Sequence, residues 1–140
     1  MGKGGTQEVA GVRITMTDAV HSGSMMDEGT IVYLGGAAGF VLRQPGMPAI
    51  YFAGDTALFG DMKIIAELYK PEIAFLPIGD HYTMGPEAAA IAARMLGVRQ
   101  VVPMHYGTFP VLTGTPDRLK QLIGLDDIDV LVLKPGDTAS

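Results

Sequence analysis

Three residues of this 140-residue chain have the type and setting for metal chemistry: His21, Asp55 and His105. Asp55 follows the apolar run Tyr51-Phe52-Ala53-Gly54, and His105 follows Val101-Val102-Pro103-Met104. His21 lies in a polar loop just after an alternating apolar segment. In sheets with helical crossovers, ligands bind beyond the carboxyl ends of strands, where loops present side chains from a rigid frame. The chain has no cysteine, so any zinc, manganese or iron must be held by imidazole and carboxylate. Each residue also has a plainer reading. A strand-end histidine often only hydrogen-bonds backbone, and Asp55-Thr56 ahead of a helix could be a turn or a cap.

The elements that must position these residues follow from periodicity. Gln7–Ala10 and Val12–Thr17 flank Ala10-Gly11, and Val12, Ile14 and Met16 alternate with polar residues, which predicts a hairpin. Residues 18–30 lack periodicity and read as a loop. Ile31–Leu34, Gly39–Arg43 and Ala49–Ala53 read as strands of an antiparallel meander, with Pro45-Gly46 as a turn. From there helices and strands alternate: helix 58–70 closed by Pro71, strand 73–78, helix 86–96 stopped by Gly97, strand 100–104, a helix opened by Thr115-Pro116, and strand 129–133. A meander followed by such alternation predicts an α/β fold, a sheet covered by helices. Met1–Thr6, Gly-rich and polar, is expected to fray.

Composition narrows the function. With 48% hydrophobic and 18% charged residues the chain resembles a soluble domain, and a net charge of −5 without a Lys/Arg cluster argues against nucleic acid. No run approaches the ~18 apolar residues of a membrane span, so the expectation is a cytoplasmic protein with no membrane partner. Nine methionines do not indicate copper, since Met62, Met95 and Met104 fall on apolar faces. Gly35–Gly39 lacks phosphate-loop spacing and reads as a kink.

Four runs together carry a resemblance: Val20-His21-Ser22, Ala53-Gly54-Asp55-Thr56, Leu76–Asp80 continuing through Thr83-Met84-Gly85-Pro86-Glu87, and Pro103-Met104-His105-Tyr106 with Phe109-Pro110. In this order they resemble the C-terminal half of the metallo-β-lactamase superfamily, in its branch of metal-dependent hydrolases related to ascorbate-6-phosphate lactonases. The resemblance implies an αββα sandwich with a binuclear metal centre at its rim, present here as about one half: one partial domain over residues 1–140, mostly one sheet covered by helices. It implies His21, Asp55 and His105 as ligands, with Asp55 bridging and Asp55 and His105 catalytic. A Zn or Mn pair would then activate a hydroxide toward an ester, lactone or phosphoester. Asp80, His81 and Tyr106 would face substrate, or else Asp80 and His81 cap the next helix and Tyr106 packs at the sheet edge. Thr56 would orient Asp55 or cap the helix.

The sequence departs from that family in one respect. The His-x-His-x-Asp-His run that supplies four ligands is absent, and His81 is a single residue that cannot replace it. Whether the chain is an enzyme is therefore undecided at the sequence level. The isolated chain is expected to bind metal weakly and to act as a hydrolase only if an N-terminal half is supplied. The alternative is a non-catalytic half-domain that homodimerises through its exposed sheet face.

Overall fold

A computed structural model describes residues 1–138. The elements in chain order are β1 (Thr6–Val9), β2 (Val12–Asp18), β3 (Ser24–Asp27), β4 (Thr30–Tyr33), β5 (Ala38–Arg43), β6 (Ile50–Phe52), α1 (Met62–Tyr69), β7 (Ile73–Pro77), α2 (Pro86–Leu96), β8 (Gln100–Met104), α3 (Pro116–Ile123) and β9 (Asp129–Val130). Seven strands form one sheet in the order β1-β2-β5-β6-β7-β8-β9. Pairing is antiparallel from β1 to β6 and parallel from β6 to β9. Two antiparallel steps make β2 run the same way as β6, so β2, β6, β7 and β8 all end at one rim of the sheet.

Alternation along the strands divides the sheet into two unlike faces. Val41, Tyr51, Ala74, Leu76 and Val101 point to one side and are buried with Met62 and Ile65 of α1, the alanines of α2, and Leu119 and Ile123 of α3. All three helices thus cover the same face. Ala89, Ala90, Ala92 and Ala93 are buried, and their small side chains let α2 lie close to the strands. Gly85, Pro86 and Gly97 bound that helix as expected, with Gly97 left-handed at its carboxyl end. The opposite face carries Phe40, Leu42, Ile50, Phe52 and Phe75, and Phe52 is 40% exposed although it stacks on Phe75 with centroids 5.5 Å apart.

Two expectations need correction. The stretch 18–30 is not all loop: Ser24–Asp27 is a strand, and it pairs with Thr30–Tyr33 in a separate two-stranded sheet, so that run leaves the meander. The apolar residues of Ile31–Leu34 gave the strand signal but not its partner, because β3 has too few residues to show a period. The opening run is also held, from Gly4 onward. The Gly4 amide donates to the Met16 carbonyl (2.7 Å), the Met16 amide donates to the Gly5 carbonyl (3.0 Å), and Lys3 pairs with Asp18. The Lys3 hydrogen bond, helped by the Ala19 amide, holds the Asp18 carboxyl below its ordinary range. Among the described residues no helix is long and apolar enough to cross a membrane.

Candidate metal centre

The candidate site is assembled at the rim where β2, β6, β7 and β8 end. Beyond β6, the Ala53 amide donates to the Phe75 carbonyl at 3.1 Å and extends the parallel pairing. Gly54 then turns the chain with φ +67°, and a Cβ there would fall 2.6 Å from the Ala38 carbonyl oxygen. That turn presents Asp55. Beyond β7, Gly79 lies so near the loop after β8 that a Cβ would meet the His105 carbonyl oxygen at 2.1 Å. The absence of a side chain at Gly79 is what lets the two strand ends converge.

The structure brings Asp55 and His105 together. His105 Nε2 stands 3.6 Å from Asp55 Oδ2, with the imidazole 26% and the carboxylate 51% exposed. This distance is too long for a hydrogen bond. It suits an ion pair when the ring is charged, or two donors on either side of a cation. His105 Nδ1 is buried without a protein partner. The residue itself is left-handed, with φ 54°.

His21 is held differently. Its Nε2 lies 2.9 Å from the Tyr82 carbonyl oxygen and its Nδ1 3.0 Å from the Ser22 carbonyl oxygen. A neutral ring has one N–H to donate and can serve only one of these oxygens. His21 and Asp55 line one cavity of about 370 Å³ with Ser22, Leu34 and Ala38. Even so, among the described residues no three His, Asp or Glu side chains are close enough to hold one ion. The donors present suit zinc or manganese in kind, but two in reach fall short of the three or so a catalytic ion takes from protein.

Thr56 has a larger part than orienting its neighbour. It is fully buried, its hydroxyl accepts from the Val20 amide (2.9 Å) and donates to the Ala57 carbonyl (2.8 Å), and its own carbonyl accepts from the Met84 amide (3.0 Å). One residue thus ties together the loops carrying His21, Asp55 and Asp80. It does not cap α1, which starts six residues later at Met62 behind Asp61. Asp80 does not cap α2 either, since Gly85 takes that position without a side-chain bond. Asp80 and His81 are both left-handed, φ 63° and 61°, and the Tyr82 amide donates to the Asp80 carbonyl at 2.7 Å. His81 meets the Tyr82 ring edge-on at 4.5 Å. Tyr106 packs against the helix-side core and also borders, with His105, a cavity of about 540 Å³ on the uncovered face floored by Phe75, Val102 and Met104. The parts played by the Tyr82 and Ser22 carbonyls and the Met84 amide cannot be read from residue types, because main-chain groups carry no residue-type signal.

A mixed sheet with helices on one face, and an Asp–His pair beyond the carboxyl ends of β6 and β8, the two parallel strands that flank β7, define an α/β protein with a candidate metal site at the rim of its sheet. The chain belongs to the β-lactamase superfamily: the family described as "Beta-lactamase superfamily domain" matches residues 1–106. A metal-dependent hydrolase of Solibacter usitatus is 56% identical over 136 residues, which cover 97% of this chain and 59% of the relative. A metallo hydrolase of the archaeon Ignicoccus hospitalis superposes with a TM-score of 0.83 at 37% identity, over 99% of this chain and 58% of that one. The metallo-beta-lactamase fold protein YhfI of Bacillus subtilis, at 13% identity, covers 98% of this chain and 53% of its own with a TM-score of 0.72, and shows the fold alone. The chain therefore has the metallo-β-lactamase fold and spans a little over half the length of the relatives it matches.

Proposed function

We propose that this chain carries one side of the centre of a metal-dependent hydrolase acting on a small molecule through an ester, lactone or phosphoester bond. The observation that carries this reading is the Asp55–His105 pair, 3.6 Å apart beyond the ends of β6 and β8, in a chain whose relatives are named metal-dependent hydrolases. Asp55 and His105 are the donors on this side. His21 joins them once its ring leaves the Tyr82 carbonyl, and further donors come from polypeptide beyond these 140 residues. A divalent ion, zinc or manganese, supplies activation of a water and charge stabilisation when bound. The chain's own residues hold the donors at the rim, with Thr56 locking the three loops and Asp80, His81 and Tyr106 bordering the place where substrate would lie.

The test is complementation. The isolated chain, dialysed against zinc or manganese, should retain far less than one ion per chain and show no turnover of simple esters or phosphodiesters. Co-expression with the N-terminal two-fifths of the Solibacter relative should bring tightly held metal and turnover, both lost in Asp55→Asn. Stoichiometric metal with turnover in the isolated chain would refute the need for outside donors. Absence of metal from the complemented protein would refute the hydrolase reading.

A second reading, a non-catalytic assembly of two copies, is favoured by one observation. Among the described residues no helix lies on the face carrying Phe40, Leu42, Ile50, Phe52 and Phe75, and Phe52 is left 40% exposed.

A further inference from the structure

The hairpin β3–β4 stands outside the main sheet and meets the candidate centre only at its base, where Ser24 and Leu34 border the cavity of His21 and Asp55. Its strands pair only with each other, and all eight strand residues are exposed. They are not polar. Met25, Met26, Ile31, Val32, Tyr33 and Leu34 are all more than a third exposed, Ile31 at 71% and Tyr33 at 75%. The register sets Met26 opposite Ile31 and Ser24 opposite Tyr33, so Met26, Ile31 and Tyr33 share one face of the arm and Met25 and Val32 the other. A lone two-stranded hairpin is marginal in water and needs another strand or a packing surface. Strand β4, Thr30-Ile31-Val32-Tyr33, is β-branched and aromatic, holds no charge, and has a free edge of backbone groups, which is a template for strand addition.

We propose that β4 is the contact through which two copies of this chain pair, antiparallel and edge to edge across a twofold axis, with Val32 opposite Val32 of the other copy, making one four-stranded sheet from two arms. Three features select a second copy. A strand paired antiparallel with its own copy is self-complementary and needs no separate receiving surface. On one face of the arm Met26, Ile31 and Tyr33 are each more than 60% exposed, so pairing two arms sets two such apolar rows side by side. The charges also fit. The arm's only charged residues, Asp27 and Glu28, lie at its tip, and antiparallel pairing carries each tip toward the base of the other arm. There Lys3 Nζ, paired with Asp18 but still 39% exposed, stands beside Gly36, 3.1 Å from where a Cβ would be. A parallel arrangement would bring the two acidic tips together. The arm springs from Gly23, next to the cavity lined by His21 and Asp55, so the pairing also sets what borders that cavity.

Sedimentation of the full chain at micromolar concentration tests this. The wild type should be a dimer, Ile31→Lys/Tyr33→Lys a monomer with unchanged circular dichroism, and Phe52→Lys still a dimer. Because the chain lacks cysteine, Val32→Cys introduces a single thiol, which should cross-link two copies on mild oxidation. That experiment decides the matter if the lysine variant fails to fold. A monomeric wild type, a dimer that survives the arm substitutions, or a Val32→Cys chain that does not cross-link overturns the proposal. Loss of the dimer in Phe52→Lys with retention in the arm variant assigns the contact to the open sheet face instead, and overturns it equally.

Discussion

His105 and the pair Asp80–His81 are non-glycine residues in the left-handed region, where an ordinary side chain costs on the order of 1 kcal/mol or more. Such strain persists when the surroundings fix the backbone, and here they do. Gly79 is wedged against the His105 carbonyl, and the Asp80 amide and carbonyl are both engaged within the 80–84 loop. Two outcomes follow at single residues. Since His81 is exposed and its ring meets Tyr82 edge-on, His81→Gly should raise stability by up to about 1 kcal/mol in urea unfolding, through relief of strain. Gly79→Ala should lower it by about 1–3 kcal/mol, because its Cβ would need to displace a backbone oxygen 2.1 Å away. Gly79→Ala should also weaken metal retention in the complemented protein, as the moved carbonyl belongs to His105. The candidate site was legible in the sequence where it depends on residue type at strand ends, at Asp55 and His105. The part that was not legible depends on backbone: nothing in residue type says that the Tyr82 and Ser22 carbonyls face the His21 ring.

The elements show the same division between local and long-range information. The helix α2 and the strands β7 and β8 were read nearly to the residue, because Pro86, Gly97 and continuous apolar runs mark them locally. Helix α1 is shorter than its apolar pattern suggests, since Leu58 and Phe59 pack on the core from a loop rather than from a helical turn. The arm was missed because register, not composition, decides whether a strand joins the main sheet. Tyr51 is a further element-level consequence. It sits at the centre of β6 on the helix-covered face, fully buried, its hydroxyl near the Thr17 side chain but without a well-formed hydrogen bond among the described residues, and burial pushes its pKa up to about 12. The folded state therefore keeps a proton that the unfolded chain releases near pH 10. Stability conferred by the protonated form is complete below about pH 10 and declines as pH rises toward about 12. Tyr51→Phe removes an unsatisfied hydroxyl at nearly constant volume, so the variant should be at least as stable at neutral pH. It should also resist alkaline unfolding better than wild type in a thermal-melt series from pH 8 to pH 11.

For the molecule as a whole, the decisive feature is a seven-stranded sheet that, among the described residues, is covered by helices on one face only. A core with three helices on one side accounts for the buried alanines, Tyr51, Leu76 and Leu119. It leaves the side chains of Phe40, Leu42, Ile50, Phe52 and Phe75 partly in water. Burying such side chains is favourable by roughly 25 cal/mol per Å², so this face will take an apolar occupant if one is offered. An environment-sensitive apolar dye should therefore bind the folded chain at neutral pH with normal far-UV circular dichroism, unlike a protein whose dye binding reports loss of tertiary packing. Phe52→Lys, at the most exposed aromatic position of that face, should cut the bound fluorescence by at least about half. It should leave the unfolding midpoint nearly unchanged, because Phe52 points away from the helix-covered core. Supplying the N-terminal part of the Solibacter relative should abolish the signal in the wild type if that segment covers the sheet. Dye binding that persists in the complemented protein would mean that the face stays open there, and that any donors reaching Asp55 and His105 come over the rim rather than across the sheet.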